Sequence, residues 1–404
     1  MKIIRFSRAF LSVLFFLGFL VTPPDCHPDE LQEAGDSFSS ALAQANEEGN
    51  FVFSPHGVET LAAMMAVGAK TETLTELHQA FHLPSDAEEI VALQREIEPR
   101  LTAKPEEKVP LLSANGLWVT EGLELSPAFR EQITDGFHAG LTLHDFSVGR
   151  ETNGHDINAW VQRQTAEKIS VVTDGFAPET QMVLINAIYF CCDWLTAFDP
   201  ANTKNCDFTT TTDEKIAVPM MRRQMRCPYF EDDAVVCVLL PYTQENLGMI
   251  FVLPKKAEDW NKSETVSSQS NIARWRKDMT LETVDCLIPK FRIESSIDLK
   301  PVFGQLGVQC AFDREKADFS GITDTRRLFV DEVVQKVTLE IGESGTEATA
   351  ATTAVFAPKA PPNAMIEVVR FHADRPFYFA VVDKEKGTLI FTGRYVNPKQ
   401  PESN

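Results

Sequence analysis

The chain runs to 404 residues, 44% of them hydrophobic and 24% charged, which is ample material for a large buried core and, by length alone, for two or three domains. Its net charge of -20 excludes a binder of nucleic acid or of an anionic membrane surface, since either needs a basic stripe and none runs through the sequence.

The chain opens as an export signal. Lys2, Arg5 and Arg8 precede an apolar run from Ala9 to Val21, and Pro23 and Pro24 stop it. That pattern predicts a signal peptide over residues 1–25, too short to remain as a membrane span, and hence a secreted product. Cys26 invites a lipoprotein reading, but Pro24 and Asp25 before it are poor for that cleavage. No later run approaches the roughly 18 apolar residues of a membrane helix, so the mature protein is expected to be soluble. The eight cysteines permit disulfides in a secreted chain, although Cys191 and Cys192 are adjacent and a poor pair for each other. They are too few to form a scaffold, and most are read as small buried hydrophobes. Asn261-Lys262-Ser263 is an N-glycosylation sequon, meaningful where the host glycosylates.

From Leu31 to Glu48 apolar residues recur at helical spacing, and Gly49-Asn50 ends the helix. Phe51 to Pro55 reads as a short strand stopped by proline, and Val58 to Ala69 as an apolar helix that Gly68 helps to close. Glu88 to Lys108 is a helical stretch, acidic on balance, and Leu112 to Val119 a strand. Val183 to Phe190 is nearly continuous in apolar residues, as expected of a strand covered on both faces. Asn186 within it needs partners, because an unpaired buried amide costs about 1–3 kcal/mol. Val235 to Pro241 and Gly248 to Pro254 form a hairpin pair, and Asp331 to Ile341 alternates, with Val333, Gln335, Val337, Leu339 and Ile341 on one face.

Signals of an independent enzyme are missing. The sequence contains no G-x-S-x-G, H-E-x-x-H or C-x-x-C, no Gly-rich phosphate loop and no paired metal-ligand spacing. Gly68-Ala69-Lys70-Thr71 lacks the upstream glycine and the Gly-Lys step of a phosphate loop and is read as a helix end, and the eight histidines are scattered. No cofactor or metal is expected.

The segment Glu343 to Phe356 reads two ways. Its small residues, with Pro358, Pro361 and Pro362 following, have the composition of an exposed loop. Yet it also carries a strand pattern. Thr346, Ala348, Ala350, Thr352, Ala354 and Phe356 fall on one face, Glu347 and Thr349 on the other. With no proline from Gly345 to Ala357, every backbone N–H can be donated if the loop becomes a strand, and Gly345 sits where a hinge must change φ/ψ without steric penalty.

The downstream sequence is more specific: Phe371-x-Ala373-Asp374-x-Pro376-Phe377, then Phe391-x-Gly393 leading to Asn397-Pro398. Strand, small-residue hinge, exposed loop and these two motifs, in that order, resemble the serpin superfamily. The resemblance extends over the chain after the signal peptide. Asn50, Phe53, Ser54, Pro55, Leu61, Gly68, Ala69 and Thr73 match one family stretch; Ile157-Asn158-x-Trp160-Val161 with Thr165, Lys168 and Ile169 match the helix that lies across the main sheet. Trp194, Phe198, Val218-Pro219-Met220-Met221, Leu287 to Phe291, Asp298-Leu299 and Ala317 to Gly321 complete the series.

The resemblance implies one α+β domain over residues 26–404: a large central, mostly antiparallel sheet, two further sheets, surrounding helices and an exposed reactive-centre loop, with hinge and loop at about 343–370. It implies a suicide-substrate protease inhibitor in which the cleaved loop inserts as an extra strand and drags the acylated protease with it. The hinge residues are then Glu343, Gly345, Thr346, Glu347, Ala348, Thr349, Ala350 and Ala351. Ser54, Asn186 and Gln335 form the shutter where the central strands part, and Trp194 marks the breach above it. The family usually has histidine at Gln335 and serine at Gly57. Gln335 can still donate and accept, so the cluster persists with altered stability.

The resemblance also implies a reactive bond: in inhibitory members of the family the specificity residue lies fourteen positions after the hinge glycine, which implies Lys359-Ala360 here, whereas the family's spacing back from the C-terminal motif implies a bond near Asn363-Ala364 or Met365. The hinge count is preferred, since insertion length is mechanically constrained while the far side of the loop tolerates extra residues. Lys359 suits a pocket floored by a carboxylate, so the expected partner is a trypsin-like serine protease. The helix from Glu88 to Lys108 lacks the basic character of heparin-activated relatives, and no glycosaminoglycan site is expected; nor is an oligomer. Two rival readings are a non-inhibitory carrier, chaperone or storage protein, disfavoured by the alanines at 348, 350 and 351, and an inhibitor of cysteine proteases working by the same trap.

Overall fold

The computed structural model describes residues 49–84, 86–101, 111–256, 269–346, 367–384 and 389–399. The expected signal peptide and first helix, Cys26, Asn261, Glu347 to Ala351, Lys359, Ala360, Asn363, Ala364 and Met365 lie outside the described residues.

Strand β1 (Phe51–Phe53) gives way to helix α1 (Pro55–Gly68), which starts earlier than the apolar spacing predicts. The reason is local. Pro55 stops a strand but has the fixed φ that suits a first helical turn, and the Ser54 side chain caps the helix by accepting from the Gly57 N–H at 3.2 Å. Helices α2 (Thr71–Phe81) and α3 (Ala87–Leu101) follow. Next come β2 (Leu111–Thr120), α4 (Pro127–Glu131), β3 (Gly140–His144), α5 (Arg150–Gln164), β4 (Met182–Phe190) and β5 (Cys192–Asp193). Then β6 (Lys204–Thr209), β7 (Lys215–Glu231), β8 (Val235–Pro241), β9 (Leu247–Pro254) and α6 (Gln269–Asp278). The chain closes with β10 (Thr280–Pro289), β11 (Phe291–Asp298), α7 (Lys300–Gln305), β12 (Glu332–Ile341), β13 (Gly345–Thr346), β14 (Val368–His372), β15 (Phe377–Asp383) and β16 (Leu389–Tyr395).

The central sheet runs β3-β2-β4-β12, with β11 along the other side of β12 and the short β13 and β5 continuing at one end. Most of its pairings are antiparallel, but β2 with β3 and β4 with β12 are parallel. The two further sheets share one strand. β7 pairs with β6 and β10 over most of its length and with β8 through Tyr229, Phe230 and Glu231, so hydrogen bonds run without a break along β1-β16-β15-β9-β8-β7-β10-β14.

Both faces of the central sheet are covered. On one face Ile157 and Val161 of α5 pack with Trp118, Val183, Ile185, Tyr189 and Val334. On the other, Ile188, Phe190, Val337, Leu339 and Ile341 meet Phe251, Phe377 and Phe391 of the second sheet. All nine residues of β4 are accordingly buried. For β12 the sequence predicts one buried face, yet Val334, Lys336 and Thr338 are buried too. The covering layer, not the strand's own alternation, decides this. Buried Lys336 reaches Glu294 at 3.5 Å, which is how a charge is kept there. The seven described cysteines are all free thiols, four of them buried, in line with their reading as small hydrophobes.

Candidate functional site at the parting of the central sheet

Strands β4 and β12 run parallel and in register from Glu332 opposite Val183 to Leu339 opposite Phe190. Beyond that point they separate. A tight turn at Glu343-Ser344, closed by Gly342 N to Gly345 O at 2.8 Å, sends the chain back antiparallel to β12. Thr346 pairs with Ile341 on one side and with Cys192 on the other, while Gly345 pairs with Asp193. Since β11 already occupies the opposite side of β12, β13 stands on the same side as β4, wedged between β12 and β5.

The start of the candidate loop is thus already a strand. Gly345 has φ 153°, and a Cβ there would lie 2.2 Å from the Cys192 carbonyl oxygen and 2.6 Å from Asp193 Cα, so a side chain would push β5 away. Thr346 is fully buried, and its hydroxyl is 2.8 Å from that of Tyr242. Burial pushes the Tyr242 phenol well above its ordinary range, so it stays neutral beside Thr346. Tyr242 stacks on Trp194 with ring centroids 4.5 Å apart and planes within 8°. Trp194 in turn binds the turn: its indole N–H donates to Gly342 O at 3.0 Å and its backbone N–H to Ser344 O at 2.7 Å.

Glu343 is the polar clasp. Its carboxylate meets Lys290 Nζ at 2.8 Å and accepts from the Thr203 hydroxyl at 2.9 Å, while Phe198 N donates to its carbonyl at 2.8 Å. Burial alone would raise this carboxyl, but the bonds from Lys290 and Thr203 hold it below its ordinary range.

Lower in the sheet, the structure brings Ser54, Asn186 and Gln335 into one chain of hydrogen bonds. The Gln335 amide brackets Ser54, accepting from its N–H at 2.9 Å and donating to its carbonyl at 3.0 Å. The same Nε2 donates to Asn186 Oδ1 at 2.9 Å, and Asn186 Nδ2 donates to Asn115 Oδ1 at 2.7 Å. Asn186 and Gln335 are fully buried and stand directly opposite each other across the β4–β12 pairing. Every polar atom of the pair that needs a partner finds one, so the seam is held by amides rather than by apolar contact alone.

Sequence reasoning missed four contributors. Asn115 carries a readable signal, a lone amide inside an otherwise apolar strand, and it lies opposite Asn186. Tyr242, Lys290 and Thr203 carry none, since each comes to Glu343 or Thr346 from a separate part of the chain.

Comparison with known proteins gives the family. The sequence model of the family described as Serpin (serine protease inhibitor) matches residues 31–398. An uncharacterised serpin-like protein of Thermococcus kodakarensis is 35% identical over 88% of this chain and 82% of its own. A serine protease inhibitor of Cyanea capillata is 28% identical over 90% of this chain and 96% of its own. Among solved structures, native protease nexin-1 with heparin superposes with a TM-score of 0.79 at 25% identity, covering 91% of this chain and 98% of that one. Thyroxine-binding globulin in complex with thyroxine gives the same TM-score and identity, covering 93% and 100%.

Proposed function

The chain belongs to the serpin family, and from that premise we propose that it is a secreted suicide-substrate inhibitor of trypsin-like serine proteases. One observation carries the reading: Gly345 and Thr346 already occupy the position between β12 and β5 from which a longer strand would continue down between β12 and β4. The residues that follow, Glu347 to Ala351, are small or short enough on alternate positions to take that path.

In the proposed reaction the protease's serine oxygen attacks the Lys359 carbonyl, its proton passes to the departing nitrogen as the peptide bond to Ala360 breaks, and the new amine stays on the C-terminal segment, which β14, β15 and β16 keep in the body of the protein. The acylated loop then inserts, gaining backbone hydrogen bonds and apolar burial. Parting β4 from β12 is the step that opposes it. The Gln335–Asn186 bond is the central polar contact to be broken, and Ser54 holds Gln335 from beneath. Trp194 and Glu343 anchor the turn about which the loop pivots. Residues 1–25 act as the export signal. Among the described residues no helix is long and apolar enough to cross a membrane.

The test is to mix the purified protein with trypsin, run denaturing gels and map the cut by mass spectrometry. A complex that survives denaturant, cleaved after Lys359, is expected. Cleavage near Asn363 or Met365 would move the reactive bond and point to another protease, and cleavage with no stable complex would favour a non-inhibitory member of the family.

A further inference from the structure

A second surface lies beside the point where the loop rejoins the body of the protein. On the outer face formed by β7, β10 and β14, pairing sets out rows of side chains: Arg226, Thr283 and Val368 in one, Gln224, Asp285 and Arg370 in the next, with Arg222 and His372 beyond. Asp285 is committed. It receives Arg222 Nε at 3.0 Å and Nη2 at 2.8 Å and lies 3.0 Å from His372 Nε2. Arg226 and Arg370 are exposed, and among the described residues neither has an ion-pair or hydrogen-bond partner. Glu282 falls on the opposite side of β10 by alternation. Strand spacing puts the two free guanidinium-bearing positions about 12 Å apart.

Two of the exposed large hydrophobics sit in the same place. Leu281 is 55% and Val368 42% exposed, and because Val368 pairs with Thr283 the two are diagonal neighbours. An unpaired cationic and apolar face is unusual on a chain of net charge -20. At physiological salt the Debye length is about 8 Å, so a docking partner responds to these local arginines and not to the distant excess of carboxylates.

We infer that the outer face of β7, β10 and β14 is an auxiliary docking surface for the target protease, taking an acidic, partly apolar rim of that enzyme against Arg226, Arg370, Leu281 and Val368. The inference rests on the inhibitory reading above. Position argues for the protease: Val368 lies nine residues beyond Lys359, so an enzyme seated on that bond is within about 30 Å of extended chain of this face. Chemistry argues against a sulfated polyanion, which has no use for the exposed leucine and valine. Docking of this kind speeds encounter without altering the trap itself.

The test measures the rate of covalent-complex formation with two trypsins of the same cleavage specificity, one of acidic and one of basic isoelectric point, at low and at high salt. The variants are Arg226→Glu with Arg370→Glu, and the milder Arg226→Gln with Arg370→Gln, each checked for unchanged thermal unfolding. With the acidic trypsin at low salt the charge-reversed variant is expected to react about tenfold more slowly, with the glutamine variant in between and the difference closing at high salt. With the basic trypsin no slowing is expected. Equal rates for all variants with both enzymes would overturn the docking surface and leave the inhibitory reading intact. Failure of the unaltered protein to form a complex with either enzyme would instead remove the inhibitory reading, and this surface's role with it. Heparin binding lost in the variants, with rates unchanged, would make the face a polyanion site, and variant-sensitive self-association would make it a contact between copies; either overturns the proposal.

Discussion

Gly57 and Gln335 fit each other: a Cβ on Gly57 would come 2.7 Å from Gln335 Nε2 and 2.2 Å from Asn186 Oδ1. The Asn186 and Gln335 amides and the Ile188 side chain, its Cδ1 2.8 Å away, together fill the space into which a side chain at position 57 would project. Gly57→Ser should destabilise the protein by about 1–3 kcal/mol through overpacking at a buried polar contact. Combining it with Gln335→His should recover part of that loss, with a coupling of about 1 kcal/mol or more. Thermal unfolding of the two single variants and the double variant checks this, and strictly additive shifts would show that the two sites are independent.

Thr346 supplies the second prediction. It is fully buried between β12 and β5, where its backbone and hydroxyl are both engaged. Thr346→Arg would place a charge there at a cost of several kcal/mol, so the hinge should stay out of the sheet and insertion should stall at its first step. The expected outcome is a loop cut by trypsin with complex yield reduced about tenfold or more, while Thr346→Ser retains the trap. Undiminished complex formation by the arginine variant would remove the insertion mechanism.

The Tyr242 hydroxyl bonds Thr346 Oγ1, so Tyr242→Phe takes away one buried contact that holds the hinge in place. A lost hydrogen bond of this kind is worth about 1 kcal/mol, enough to shift a hinge-in to hinge-out balance about fivefold. Faster cleavage within residues 343–350 by a non-target protease is expected, at unchanged cleavage of the folded body, and limited proteolysis followed by mass spectrometry reads it. An identical proteolysis rate would mean that backbone pairing alone fixes the hinge.

How much of this was legible in the chain varies by element. Strand β4 is plain from its apolar run, and the short strand at Gly345 and Thr346 from the strand pattern that begins at Thr346. Asn186 declared itself as a polar residue in an apolar strand, and its need for partners is met by Gln335 and Asn115. What sequence did not reveal is distance between remote segments. Lys290 reaches Glu343 because β11, which follows it, pairs with the end of β12, and Tyr242 reaches Thr346 because the second sheet packs under the first. The burial of Lys336 was hidden for the same reason, since alternation describes a strand by itself and says nothing of α5 and its neighbours laid over it.

The Glu343 carboxylate gives a prediction in pH. Its bonds from Lys290 and Thr203 hold it below its ordinary range in the folded protein. A carboxyl with a depressed folded pKa contributes stability that is present above its unfolded value, about 4.3, and is lost as pH falls through the lower folded value. Glu343→Gln removes the charge but keeps the side chain's shape. At pH 7 the variant should be less stable by about 1 kcal/mol, the modest size reflecting a lysine that is 40% exposed and screened by solvent. As pH falls below about 4 the unaltered protein loses this contribution and the two should converge. Unfolding midpoints measured from pH 7 to pH 3 decide the matter: a gap that persists undiminished at pH 3 would mean that the loss arises from packing around Glu343 and not from its charge.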